Sequence, residues 1–311
     1  MHNVLVTCPP MLSMFEEFIE PARKCGLELI RANVMQAMTE KALIKELPKY
    51  DGWIIGDDPA TKPVFVAGKK GQLKAAVKWG IGIDNVDFSA CHELGIPISN
   101  TPNMFGGEVA DLAIGYLLAL ARQTFFIDRE IRNLGWPKPA GISVTGKRVG
   151  IVGFGNIGQN IIKRLSGFDV KATVYDPGKT GNHGFAFVER KEFPDGLDEV
   201  DFLVFTCELN KHNVHMLNAE TIYQLKPGVS IVNVARGSLI DESSLIMALQ
   251  SGHISAVALD VFEVEPLPEN SSLRTMPQCI LGSHNGSNTK EGVRRATAEA
   301  VRILAEFLHG K

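Results

Sequence analysis

Val149-Gly150-Ile151-Val152 runs straight into Gly153-Phe154-Gly155-Asn156-Ile157-Gly158, and the reading of the whole chain turns on this stretch. Four apolar or small residues form a buried strand, and Asn156 to Leu165 carries helical periodicity. Between them lies G-x-G-x-x-G. The first glycine permits a tight turn, the second lets a pyrophosphate approach the backbone, and the third lets helix and strand pack closely. The helix that follows offers free N–H groups and its positive dipole end to phosphate. Gly153, Gly155, Asn156, Ile157 and Gly158 are therefore candidate cofactor ligands. The next strand, Lys171–Tyr175, ends in Asp176, about 20 residues beyond the glycines, where a carboxylate accepts the adenosine ribose hydroxyls and repels a 2′-phosphate. NAD is the expected cofactor. Asp176 also opens an Asp176-Pro177-Gly178 turn, and the two roles are compatible. Lys179 is the cation nearest in sequence and would soften the preference for NAD over NADP.

On both sides of this motif the chain alternates strand and helix. Upstream, strands are expected at Val4–Val6, Leu27–Arg31, Trp53–Ile55, Ala75–Val77 and Ile96–Ile98, with helices at Met11–Cys25 and from Thr39. Downstream, strands are expected at Phe202–Thr206, Ser230–Asn233 and Ala256–Leu259, and helices at Ala219–Leu225 and Glu242–Ser251. Such alternation argues for parallel sheets covered by helices. The expected fold is α/β, two Rossmann-like doubly wound parallel-sheet domains with an active-site cleft between them. Residues 1–101, completed by 288–311, would form a substrate domain. Residues 102–287 would form the NAD-binding domain. The helix Gly107–Arg122 is apolar nearly all round, so burial is expected. The last helix, Lys290 to Leu308, has no strand after it and is expected to return to the first domain.

Composition narrows the partners. A net charge of −3 with only paired basic residues gives no reason to expect nucleic acid or an anionic membrane. There is no apolar run of about 18 residues and no basic segment before the first strand, so neither a membrane span nor a secretory signal is expected. The five cysteines have no C-x-x-C pair. A cytoplasmic protein without disulfides or bound metal is the expectation.

Three polar segments follow apolar strands in the second half: Asn233-Val234-Ala235-Arg236-Gly237, Asp260-Val261-Phe262-Glu263-Val264-Glu265-Pro266, and Ser283-His284-Asn285-Gly286. Ligands bind at the C-terminal ends of parallel strands. With Gly80-Ile81-Gly82-Ile83-Asp84-Asn85-Val86-Asp87, Asn100-Thr101-Pro102 and Leu225-Lys226-Pro227-Gly228, these segments make the chain resemble the D-isomer-specific 2-hydroxyacid dehydrogenases. The resemblance spans nearly the whole sequence. It implies Arg236 as substrate anchor, Glu265 as the partner of a histidine, and His284 as proton donor and acceptor. The chemistry asks for this set. Removing a hydride from an alcohol leaves a proton for a base that titrates near neutrality. A carboxylate orients the imidazole, and arginine holds a planar carboxylate by paired hydrogen bonds.

The resemblance also implies a backbone cradle for the substrate carboxylate at Trp79, Gly80, Ile81 and Gly82. Asp260 is expected near the nicotinamide carboxamide, Thr206 and Cys207 on the adenine side, and Ala235, His284 and Gly286 against the cofactor. Lys78 stands where phosphoglycerate dehydrogenases usually carry arginine, and would meet a phosphate or second carboxylate, although Asp57 and Asp58 bring negative charge to the same edge. The sequence departs from the family at Gly282-Ser283-His284-Asn285-Gly286, where Thr-Pro-His-Ile-Gly is commoner, and at Cys207-Glu208-Leu209-Asn210. A small D-2-hydroxy acid or its 2-keto acid is the expected substrate. The phosphoglycerate-dehydrogenase-like reading comes first, a glyoxylate or hydroxypyruvate reductase second. A corepressor-like NAD sensor is the rival from another class. The resemblance implies a homodimer through Gly107–Arg122, which is too apolar to stand in water, and the arm to Trp136.

Overall fold

The structure, a computed structural model, describes residues 1–178 and 184–310. The chain divides into two compact units, residues 1–105 with 287–311, and residues 106–286. In the first unit, β1 (His2–Val6), β2 (Leu27–Arg31), β3 (Gly52–Ile55), β4 (Ala75–Lys78) and β5 (Ile98–Asn100) form one parallel sheet in the order β2-β1-β3-β4-β5. Trp53, Ile55, Phe65 and Ala76 are fully buried in its core. The C-terminal helix Lys290–His309 belongs to this unit and lies against β4 and β3. The strand expected at Ile96–Ile98 begins two residues later. Pro97 has no N–H for a ladder, so it contributes only its carbonyl, to Ala76 N–H, and regular pairing starts at Ala76 and Ile98.

The second unit holds β6 (Arg148–Val152), β7 (Lys171–Tyr175), β8 (Val188–Arg190), β9 (Phe202–Phe205), β10 (Val229–Asn233), β11 (Ile254–Leu259) and β12 (Cys279–Leu281). All run parallel, in the order β12-β11-β10-β9-β6-β7-β8. The chain moves outward in opposite directions from β6, so the mouth of the sheet opens at the C-terminal ends of β6 and β9, beside the glycine loop. The sequence missed β8, because an edge strand of three residues is too short for alternation to show. The helix expected over Met11–Cys25 is two helices, Pro9–Ser13 and Glu16–Lys24. The helix Gly106–Arg122 is buried within its own unit, against the helix Asn156–Leu165 and against β10 and β11. A further helix, Thr124–Arg132, follows it after Gln123, whose backbone is left-handed.

Candidate active site

The glycine loop joins β6 to the helix Asn156–Leu165. Gly153 has φ +99°, a conformation that favours glycine, and a Cβ there would lie 2.5 Å from the Cys207 nitrogen. At Gly158 a Cβ would lie 2.2 Å from the Gly153 carbonyl oxygen, so helix and loop touch. Gly155 is the reverse case: it is exposed, and nothing lies within 4 Å of a Cβ built there. The open side of the loop is thus at its middle glycine, at the N-terminus of a ten-residue helix. Asp176 is fixed by its own surroundings. Its Oδ2 accepts the Phe154 N–H at 2.6 Å and its Oδ1 the Gly178 N–H at 2.8 Å. The carboxylate therefore belongs both to the turn after β7 and to the glycine loop. Each oxygen keeps a second lone pair for a ribose hydroxyl. These residues fit a dinucleotide: an open backbone for pyrophosphate, and beside it an oriented acid whose charge opposes a further phosphate. Arg190, unnoticed in the sequence, donates to the Asp176 carbonyl from β8. Lys179 lies outside the described residues.

Thr206 donates to the carbonyls of Gly153 at 2.8 Å and Val152 at 3.1 Å, which ties the end of β9 to the glycine loop. Cys207 packs on Gly153, and burial pushes its thiol up to about 12, so it is a neutral filler.

Arg236, Glu265 and His284 all stand in the second unit, beyond the ends of β10, β11 and β12. His284 Nδ1 is 2.7 Å from Glu265 Oε2, with side chains 25% and 21% exposed. Glu265 Oε1 accepts the Phe262 N–H at 3.0 Å, so the backbone orients the carboxylate as the carboxylate orients the imidazole. With Nδ1 turned to Glu265, proton exchange falls to Nε2. His284 has φ +55°, a left-handed conformation that costs a non-glycine residue about 1–3 kcal/mol. Its N–H donates to the Asp260 carbonyl at 2.6 Å, which holds it there. Arg236 is half-buried, and its Nη1 donates to the Ala235 carbonyl at 2.8 Å. Asn233, 1% exposed, grips this segment from both sides. Its Oδ1 accepts the Ala235 N–H and its Nδ2 donates to the Arg236 carbonyl.

Several of the expected site residues have partners within their own unit. Asp260 was expected at the nicotinamide carboxamide. It is 1% exposed, and its carboxylate accepts the N–H groups of Asn285 at 3.1 Å and Gly286 at 2.8 Å. Burial pushes its pKa up, against those two hydrogen bonds. With these bonds it holds the histidine turn. In the first unit, Lys78 is 3% exposed and donates to the Gly56 carbonyl at 2.5 Å and to Asp57 Oδ1 at 3.1 Å. Its charge is answered within the unit. The Trp79 ring is buried against Phe105 and donates to Thr297 Oγ1 at 3.1 Å, so it anchors the last helix. The Gly80 N–H goes to Thr101 Oγ1 at 2.8 Å, which withdraws that donor from the expected cradle. Ile81 and Gly82 are half-buried, and the Ile81 carbonyl accepts Asn100 Nδ2.

A doubly wound parallel sheet, a dinucleotide loop with an acid after the second strand, and a histidine paired with a carboxylate define a nicotinamide-dependent dehydrogenase. The family model "D-isomer specific 2-hydroxyacid dehydrogenase, NAD binding domain" matches residues 114–286. A hydroxypyruvate reductase of Thermotoga maritima is 36% identical over 271 residues, 86% of this chain and 87% of that protein. A D-3-phosphoglycerate dehydrogenase of Bacillus subtilis is 31% identical over 288 residues; the match covers 91% of this chain but about half, 53%, of that protein. The apo-structure of D-lactate dehydrogenase from Escherichia coli superposes with a TM-score of 0.85 at 26% identity, over 100% of this chain and 98% of that one. The chain belongs to the D-isomer-specific 2-hydroxyacid dehydrogenases and is an NAD-dependent oxidoreductase acting on the CH–OH group of donors.

Proposed function

We propose that this dehydrogenase reduces a short 2-keto acid with an uncharged tail, of the hydroxypyruvate and glyoxylate kind, to the D-2-hydroxy acid. The observation that carries this reading is Lys78. The expectation of a phosphate or second carboxylate on the substrate rested on that cation. A lysine 3% exposed and 3.1 Å from Asp57 spends its charge on its own unit. A phosphate would have to displace that carboxylate and the Gly56 carbonyl. The similarity to a hydroxypyruvate reductase agrees with this choice.

Held by the Gly153–Gly158 loop and Asp176, bound NADH would provide hydride chemistry toward the keto carbon. His284 Nε2 gives its proton to the carbonyl oxygen, and Glu265 at 2.7 Å stabilises the imidazolium before transfer. Arg236 pairs with the substrate carboxylate and draws electron density from the adjoining carbonyl. In the oxidative direction His284 accepts the proton.

Steady-state rates with NADH across glyoxylate, hydroxypyruvate, pyruvate and 3-phosphohydroxypyruvate test the proposal. The first two should give the highest kcat/KM, and a clear preference for the phosphorylated acid would overturn the substrate class. His284→Ala should lower kcat by roughly 10²–10⁴-fold, as loss of general acid catalysis does, with the Kd for NADH little changed. Equal loss of both would make the histidine structural. We further propose a cytoplasmic homodimer. Its free cysteines suit a reducing compartment.

A further inference from the structure

The order β2-β1-β3-β4-β5 reverses direction between β1 and β3, so the first sheet has its own topological switch point, at the C-terminal ends of those two strands. Two consecutive acids stand there, Asp57 and Asp58, and their surroundings differ. Asp58 is fully buried. Its Oδ1 accepts the Met38 N–H at 2.8 Å and its Oδ2 the Gly56 N–H at 3.0 Å, with the Thr7 hydroxyl as a further donor. It is spent on shaping the turn after β3. The Asp57 side chain is 36% exposed. Its Oδ1 accepts Lys78 Nζ at 3.1 Å, and its Oδ2 accepts Gln36 Nε2 at 3.0 Å.

Lys78 is the last residue of β4, which pairs with β3, and its side chain reaches the same turn. Its ammonium donates to the Gly56 carbonyl at 2.5 Å, and Asn85 Nδ2 holds that carbonyl from another side at 3.1 Å. The lysine is thus fixed in place. An ammonium this deeply buried needs an opposite charge. Asp57 provides one, and it is the more exposed member of the pair. Taking the carboxylate away leaves a buried charge that costs stability until another anion answers it.

We propose that Asp57 is a specificity-determining residue: as the built-in counter-ion of Lys78, its carboxylate takes the place of a phosphate or second carboxylate on the tail of a keto acid, so that replacing this one acid admits dianionic substrates. The proposal deepens the reading of the chain as a reductase of keto acids with uncharged tails, and rests on it. An anionic tail arriving at this turn meets like charge. An uncharged tail does not. Selection thus comes from a repulsive group set in front of a cation, and not from the lack of a cation.

The test measures kcat/KM with NADH for 3-phosphohydroxypyruvate and for hydroxypyruvate, and takes the ratio of the two. A general structural defect lowers both and cancels. Asp57→Asn, close to isosteric, should raise that ratio at least about tenfold, the scale of one hydrogen bond to a charged group. Oxaloacetate against pyruvate should shift the same way. Adding Lys78→Met to Asp57→Asn should return the ratio to its wild-type value. An unchanged ratio in Asp57→Asn, or a gain that survives Lys78→Met, would overturn the proposal and leave the substrate reading standing. A wild-type preference for the phosphorylated acid would instead remove the substrate reading, and the proposal with it. Thermal unfolding gives a readout that needs no turnover. Inorganic phosphate, with ionic strength matched by chloride, should raise the Tm of Asp57→Asn more than that of the wild-type protein. Equal shifts in the two, zero included, would mean that Asp57 excludes no anion and would refute the proposal. If Asp57→Asn folds poorly, Asp57→Ala takes its place and the same outcomes decide.

Discussion

At the scale of single residues, the site is held by contacts that leave no slack. Gly237 follows Arg236, and a Cβ there would lie 1.9 Å from the Phe262 carbonyl carbon and 2.3 Å from the Glu263 nitrogen. The arginine segment and the glutamate segment are pressed backbone to backbone, which sets Arg236 and Glu265 in one frame. Phe262 N–H is also the donor to Glu265 Oε1, so pushing this peptide aside disturbs the carboxylate that orients His284. Gly237→Ala should therefore cost about 1–3 kcal/mol, the range of overpacking in a dense core. It should also lower kcat/KM by more than tenfold, since 1.4 kcal/mol already corresponds to tenfold in rate. Thermal unfolding and steady-state kinetics on one preparation check both. An alanine variant with unchanged stability and rate would mean that the backbone yields freely here.

At the scale of elements, the C-terminal ends of the strands carry the chemistry and the opposite ends carry stability. Asp201, just before β9, accepts the Arg148 N–H at 2.9 Å and Lys226 Nζ at 2.7 Å, with Lys147 3.9 Å away. Burial pushes its pKa up, but Lys226 and the Arg148 N–H outweigh burial and hold it below the usual carboxylate range. A carboxylate whose folded pKa is depressed adds stability above its unfolded pKa, near 4, and loses it as pH falls through the folded value. Asp201→Asn should thus destabilise by about 1–2 kcal/mol at pH 7, the scale of a charge-assisted hydrogen bond. The deficit should shrink as pH falls below 4, and denaturant titrations at pH 7 and pH 3.5 measure it. A deficit of the same size at both would assign the loss to shape alone.

The elements themselves were mostly legible. The helix Asn156–Leu165 and β7 stand where the periodicity puts them. The placement of Arg236, Glu265 and His284 beyond β10, β11 and β12 was legible because each follows an apolar strand. What the sequence withheld was contact between distant segments: Asp260 with Gly286, Gly237 with Phe262, Lys78 with Asp57. Pattern states which residues lie at strand ends. Only packing states which of them are spent on their neighbours.

At the scale of the whole molecule, a second copy was expected through Gly107–Arg122 and the arm to Trp136. The helix Gly106–Arg122 is too apolar for water, yet its own unit buries it, with ten of its residues buried. The segment after it is different. The helix Thr124–Arg132 has no buried residue, Phe125 is 52% exposed, and Leu134 and Trp136 are 97% and 78% exposed. Beside it a recess of about 450 Å³ is lined by Phe125, Arg129, Leu273, Met276 and Ile280. A large apolar group contributes about 2 kcal/mol when buried, so Leu134 and Trp136 together are worth roughly several hundredfold to a thousandfold in association. Sedimentation at micromolar concentration should give twice the 33.9 kDa chain mass. Leu134→Ser with Trp136→Ser should weaken that dimer by about two to three powers of ten while leaving the unfolding transition of the separated chain nearly unmoved, because exposed positions contribute little to the fold. A wild-type protein that sediments as a monomer would remove the dimer, and an unweakened dimer in the double variant would place its interface on another surface.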